Sequence, residues 1–179
     1  PTRRSSDLYF FGFFGGADNQ WEPRAYRNTT PVEPTRTPQQ GYHLIAEKDD
    51  ATRWLRTHDA VYPDKPFFIW FAPGGTHWPH HVPADWIARY RGKFDQGWDK
   101  IREETFARQK ALGVIPADTV LTPRPPELPA WDSLSADERK LLVRQAEITA
   151  AFLDYTDHQV GRLLASAQEL GRSANTLVL

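Results

Sequence analysis

The chain has 179 residues, of which 40% are hydrophobic and 25% charged, with a formal net charge of -1. That length suffices for one domain with a core, or for part of a larger one, and the mixed charges give no footprint for nucleic acid or an acidic membrane. Cysteine is absent, which excludes disulfides, thiolate metal sites and a cysteine nucleophile within the chain, and no apolar run approaches the ~20 residues of a bilayer span.

The opening PTRRSSDL, residues 1–8, has neither the apolar centre of a signal peptide nor helical spacing. It is expected to be a non-native leader, such as a translated adapter. Residues 9–41 are aromatic and rich in Gly and Pro, which predicts an irregular, partly buried loop. Asn28-Thr29-Thr30 matches an N-glycosylation acceptor, a short pattern of little weight. From about Tyr42 to Asp59 the spacing of Leu44, Ile45, Lys48, Thr52 and Leu55 predicts a helix, with Trp54 alongside.

FFIWFA, residues 67–72, is six apolar residues between prolines. It predicts a strand buried on both faces, as in a parallel sheet covered by helices. Residues 83–92 read as a short helix beginning at Pro83, and DKIREETFARQKAL, 99–112, as a charged helix ended by Gly113 with a solvated face of i,i+4 pairs. Five prolines between 116 and 129 then predict an extended surface wrap anchored by Val114, Ile115, Leu121 and Trp131.

Ser135 and Glu138 form a capping box that opens the longest helix, about 136–170. Leu142, Ala146, Thr149, Leu153, Val160, Leu164 and Ala167 make one apolar stripe, and Leu141, Ile148, Phe152 and Tyr155 a second. Two stripes predict a helix sandwiched between layers, with its C-cap at Gly171. Asn175–Leu179 reads as a strand cut short, so the chain is expected to be a fragment. Strand, helices, strand is the order of an α/β protein.

Ligands of open α/β sheets sit beyond the carboxyl ends of strands. His77 follows such an end, after the turn Pro73-Gly74-Gly75, whose glycines allow a sharp bend. It is the leading candidate site residue; an idle loop histidine is the plain alternative. His80 and His81 are weaker candidates, because adjacent residues point differently on an extended chain and cannot both face one ligand with His77. A zinc site from His77 and His80 would need further ligands, and none stands nearby. Asp154, Asp157 and His158 share a face of the long helix at metal-binding spacing, but one helix offers too few ligands, and caps and ion pairs are the preferred reading.

The stretch KPFFIWFAPGGTHWPHHVPADWIARYRGKFDQGWDKIREETFARQKALGVIPAD, with WDSLSADERK, TDHQVGRLL, NTLVL and the earlier FFGFFGGADNQWEPRAYRNTTP, resembles bacterial type I arylsulfatases from about Tyr9 onward. The resemblance implies an alkaline-phosphatase-like α/β fold with a mostly parallel sheet and flanking helices. It makes residues 9–179 the middle part of a sulfatase catalytic domain that hydrolyses small-molecule sulfate monoesters in a longer parent. It further implies a formylglycine nucleophile from a C/S-x-P-S-R signature and a calcium ion held by Asp and Asn. This sequence contains neither that signature nor the calcium-binding Asp-Asn-Gly, so no metal ligand is assigned within it and the chain by itself is expected to be inactive. One residue carries over: His77, in THWP, matches the histidine that contacts the sulfate ester and can protonate the leaving oxygen. A phosphonate or phosphate monoesterase of the same superfamily, and a carbohydrate-binding module built on Trp-rich loops, are the alternative readings.

Overall fold

The computed structural model describes residues 8–34, 36–41, 43–46 and 49–179. The expected leader falls almost wholly on residues 1–7, outside the described residues. The described chain divides into two compact units, one ending at His81 and resuming with Phe152–Leu179, the other Val82–Ala151.

In the first unit, residues expected to be irregular form a small antiparallel sheet in the order β1-β2-β3: β1 Phe11–Gly12, β2 Ala25–Arg27 and β3 Thr30–Val32. Phe11 pairs with Arg27 and Arg27 with Thr30. The glycosylation-like triplet lies at the β2–β3 turn, where Asn28 takes φ 55°, a left-handed conformation that Asn tolerates better than most residues. Helix α1, Asp49–Val61, begins later than the spacing from Tyr42 predicts; a single 3-10 turn, Leu44–Ala46, precedes it.

Asp50 is buried in α1 and carries the unit's densest polar cluster. It accepts from Arg27 Nη2 at 2.6 Å and from Arg53 and the Tyr9 hydroxyl. Burial, then the Asp50 carboxylate, raise the Tyr9 pKa. Asp50 itself is buried while Arg27 and Arg53 are partly exposed, so the carboxylate depends on these partners more than they depend on it.

The predicted strands 67–72 and 176–179 form no ladder among the described residues, and the sheet present is antiparallel rather than mostly parallel. Phe68 and Trp70 are 81% and 80% exposed, alternating with half-buried Phe67, Ile69 and Phe71. That period of two belongs to a strand, but pairing needs a neighbouring strand to receive its backbone groups.

The second unit opens with α2, Ala84–Ala88, with Pro83 at its N-cap; it is shorter than the expected helix over 83–92. Turns follow, and α3 runs Gly97–Ala111. Helix α3 is not simply a solvated face: Trp98, Ile101, Thr105 and Phe106 line a pocket with Trp131. The Pro-rich wrap is fastened by hydrogen bonds as well as by the expected anchors, of which Ile115 and Leu121 are half-buried. Arg102 donates to Thr122, Lys110 to the Thr119 carbonyl, and Arg124 to Asp99 and the Leu128 carbonyl. Val114 is exposed, whereas Trp131 is buried.

Helix α4, Ala136–Glu169, matches its predicted span. The capping box is present: Glu138 N–H donates to Ser135 Oγ at 3.3 Å, and Ser135 N–H to Glu138 Oε2 at 2.8 Å. The sandwich expectation is corrected. Leu141, Leu153 and Leu164 are exposed, and one face is buried, with Glu147 and Ala151 in the second unit's part and Phe152, Tyr155, Thr156, Gln159, Leu163, Ser166 and Ala167 in the first's. Phe152, Tyr155 and Ala167 come from the predicted stripes, but four of the nine are polar, so hydrophobic spacing alone could not mark the whole face.

Candidate functional site

The turn after residues 67–72 belongs to the first unit and is set by backbone contacts too close for side chains. His77 N–H donates to the Gly74 carbonyl at 2.8 Å, closing the turn. A Cβ on Gly75 would lie 2.0 Å from Thr156 Oγ1, so only glycine lets this backbone approach α4. Thr156 is held in turn by donating to the Phe152 carbonyl at 2.8 Å. The chain passes through two cis peptide bonds here, Gly75–Thr76 and Trp78–Pro79.

His77 is exposed, with Nδ1 2.7 Å from the Trp78 carbonyl. A carbonyl can only accept, so Nδ1 carries the hydrogen in that contact. Among the described residues Nε2 makes no hydrogen bond, and it is the nitrogen left for chemistry. His80 is also exposed, its ring 6.3 Å from that of Phe152 in an edge-on arrangement. The structure therefore puts both predicted histidines on one exposed turn.

The third histidine of the run turns inward. His81 Nδ1 accepts from Gln20 N–H at 3.2 Å, and burial lowers its pKa. Its carbonyl accepts from Nε2 of His43 at 2.9 Å, while His43 Nδ1 accepts from Ile45 N–H at 3.3 Å. His43 is 1% exposed, between the rings of Trp21 at 4.6 Å and Tyr155 at 4.8 Å. Burial is the main cause that lowers its pKa to about 4, so at neutral pH it is an uncharged tie rather than a base.

Gln20 completes the support. It is 3% exposed, its backbone carbonyl accepts from Leu44 N–H at 2.8 Å, and its Nε2 donates to the Asp18 carbonyl at 3.1 Å. A Cβ on Gly74 would lie 3.1 Å from that Nε2. Gln20, His43 and Thr156 thus hold the turn from three separate segments. Sequence reasoning passed over all three, since each is a single polar residue without motif or spacing.

Among the described residues, no three or more His, Cys, Asp or Glu side chains group to hold a metal ion. That includes Asp154, Asp157 and His158. Calcium takes ~6–8 oxygen ligands, and the residues present do not fit that demand. No helix among the described residues is long and apolar enough to cross a membrane.

Comparison with known proteins bears on the family. An arylsulfatase of Klebsiella aerogenes is 28% identical over 181 aligned residues, covering 94% of this chain and 38% of its own length. An uncharacterized sulfatase of Schizosaccharomyces pombe is 31% identical over 116 residues, covering 63% of this chain and 21% of its own. The chain thus spans well under half the length of either relative. The sulfatase family model matches residues 3–179, and with that coverage the chain belongs to the sulfatase family, whose fold is α/β of the alkaline-phosphatase type.

Proposed function

We propose that the protein containing this chain hydrolyses sulfate monoesters of small molecules, and that His77 protonates the departing oxygen. The observation that carries this reading is the exposed His77 ring itself: Nδ1 on the Trp78 carbonyl, and Nε2 without a hydrogen bond among the described residues. In the cationic form Nε2–H is a donor. As the S–O bond to the leaving group breaks, the alkoxide or phenoxide oxygen takes that proton and the imidazole becomes neutral. The Trp78 carbonyl accepts from Nδ1–H in both forms and so holds the ring in one orientation through the transfer. His80, on the same turn, is the weaker candidate, as a contact to the ester rather than a proton donor.

The nucleophile in this reading is the family's formylglycine, formed from a Cys or Ser outside this sequence, and calcium is the family's metal. Neither enters the step assigned to His77. Residues 9–179 are read as the middle part of the catalytic domain. Within it, 67–72 and 176–179 would be strands of a mostly parallel sheet once partner strands are supplied; the alternating exposure of Phe68 and Trp70 supports this. Nothing in the charge distribution favours nucleic acid as a partner.

The test is leaving-group dependence in the full-length protein. His77→Ala should lower kcat by ~10²-fold on an alkyl sulfate, the usual scale for general acid catalysis. The loss should shrink on 4-nitrophenyl sulfate, whose phenoxide leaves without help. An equal loss on both esters would remove His77 from the proton-transfer role. Faster turnover of the matching phosphate ester than of the sulfate would overturn the substrate class.

A further inference from the structure

The second unit contains a pocket of about 390 Å³, within the ~300–1,000 Å³ range of small-molecule sites. Its walls are rings and aliphatic side chains: Trp98, Phe106 and Trp131 with Leu121 and Leu142. Those walls are fixed. A Cβ at Gly97, where φ is +75°, would lie 2.2 Å from the Trp131 ring, so that ring rests directly on backbone. Trp131 N–H donates to Asp99 Oδ2 at 2.9 Å, and Trp98 Nε1–H to the Pro129 carbonyl at 3.2 Å. The two indoles meet edge-on at 4.9 Å.

The cation lining the pocket is Arg102. Its Nη2 donates to the Thr122 carbonyl and to Thr122 Oγ1, both at 2.7 Å. Among the described residues its hydrogen bonds run through Nη2 alone, which leaves Nε and Nη1 as donors. Asp99 is the nearby anion and is engaged by Arg124 Nη1 at 3.3 Å and by Trp131 N–H. A rigid aromatic slot with one spare guanidinium edge suits a flat ring that bears an anionic group.

We propose that this pocket binds a small planar aromatic carboxylate, its ring against Trp98 and Trp131 and its carboxylate on Arg102. The site is separate in composition from the histidine turn and does not depend on the sulfatase reading.

The experiment uses the full-length protein that contains this chain, with 2-naphthoate as probe and 2-naphthamide as its neutral counterpart, read by the indole N–H signals in ¹⁵N–¹H spectra. Saturable shifts of the Trp98 and Trp131 indoles are expected with 2-naphthoate. Arg102→Gln should weaken the carboxylate about tenfold and leave the amide unchanged, the scale of one hydrogen bond to a charged group. Thr105→Phe should fill the slot and abolish both; Ala146→Phe does the same from the other wall should the first variant unfold. His77→Ala should bind as the parent does. The proposal is overturned by shifts that never saturate up to millimolar probe, by Arg102→Gln weakening both probes equally, or by loss of binding in His77→Ala.

Discussion

The two units of the molecule solve the same packing problem with different materials. Among the described residues the first buries Ala25, Ile45, Leu55, Phe152, Tyr155, Leu163 and Ala167 together with as many polar residues, Gln20, His43, Asp50, Thr52, Thr156, Gln159 and Ser166. The second buries Val82, Trp86, Trp131 and Ala151, with Glu147 as its buried charge. Glu147 is fully engaged, accepting from Gly92 N–H at 2.8 Å and Arg144 Nη1 at 3.0 Å. A polar interior depends on the protonation of its members; an interior of rings pressed on backbone depends on shape. The histidine turn sits in the first kind, where hydrogen bonds hold a loop at fixed geometry without a ladder.

The sharpest way to break the second unit is therefore a methyl group. Gly97→Ala adds a Cβ 2.2 Å from the Trp131 ring at a φ of +75°. Backbone strain of ~1–3 kcal/mol and overpacking of a similar size predict a combined loss of about 2–6 kcal/mol. The near-UV circular dichroism of the Trp98–Trp131 pair should collapse with it. A variant that keeps both the signal and the unfolding midpoint would mean that the ring has room to move aside.

The first unit is better probed with protons. Folding lowers the pKa of His43 from 6.5 to about 4. Between those values the unfolded chain binds a proton that the folded chain refuses, so stability falls as pH drops from about 6.5 towards 4. The penalty vanishes above that window. The size at the acid end is about 3 kcal/mol, from ~1.4 kcal/mol per pKa unit. His81, whose pKa burial also lowers, adds in the same direction. Its carbonyl, Trp21, Tyr155 and Ile45 N–H face the His43 ring, and none supplies a compensating anion. His43→Gln should cost ~1 kcal/mol at pH 8 through poorer hydrogen bonding. It should also flatten the decline from pH 6.5 to 4 in urea titrations; an unchanged slope would clear His43 of the effect.

The same contrast explains what could be read from sequence. Helix α4 and its box at Ser135 and Glu138 were legible because both signals are local: apolar spacing, and two side chains three residues apart. The strand-like stretch 67–72 was legible as a pattern, yet a strand is completed by its neighbours. The hairpin of β2 and β3 was missed because Gly and Pro around it read as breakers, while Asn28 reads as a glycosylation acceptor before it reads as a turn. His77 stood out through its place after a Gly-Gly turn. The residues that hold it, Gln20 and Thr156, lie 57 and 79 positions away, and nothing in a linear pattern links them. The mismatch on α4 has a similar source, since a buried face carrying Glu147, Thr156, Gln159 and Ser166 is invisible to a hydrophobic stripe.

The mildest intervention tests whether the start of α4 matters to both units or to one. Ser135→Ala removes the acceptor for Glu138 N–H at 3.3 Å and the hydroxyl that donates to Glu138 Oε2 at 2.7 Å, while the reciprocal bond from Ser135 N–H to Glu138 Oε2 at 2.8 Å uses backbone and survives. The expected loss is about 1 kcal/mol, inside the ~0.5–2 kcal/mol range for capping residues, or a shift of ~2–4 °C in the thermal midpoint. Ser135→Asn, which offers a side-chain oxygen at the same place, should recover most of it. The acid-dependent decline between pH 6.5 and 4 should be unaltered in both variants, because His43 is fastened by Ile45, His81 and the rings around it rather than by the helix start. A steeper decline in Ser135→Ala would show that loosening the first turn of α4 reaches the polar interior, and the two units would then have to be treated as energetically coupled.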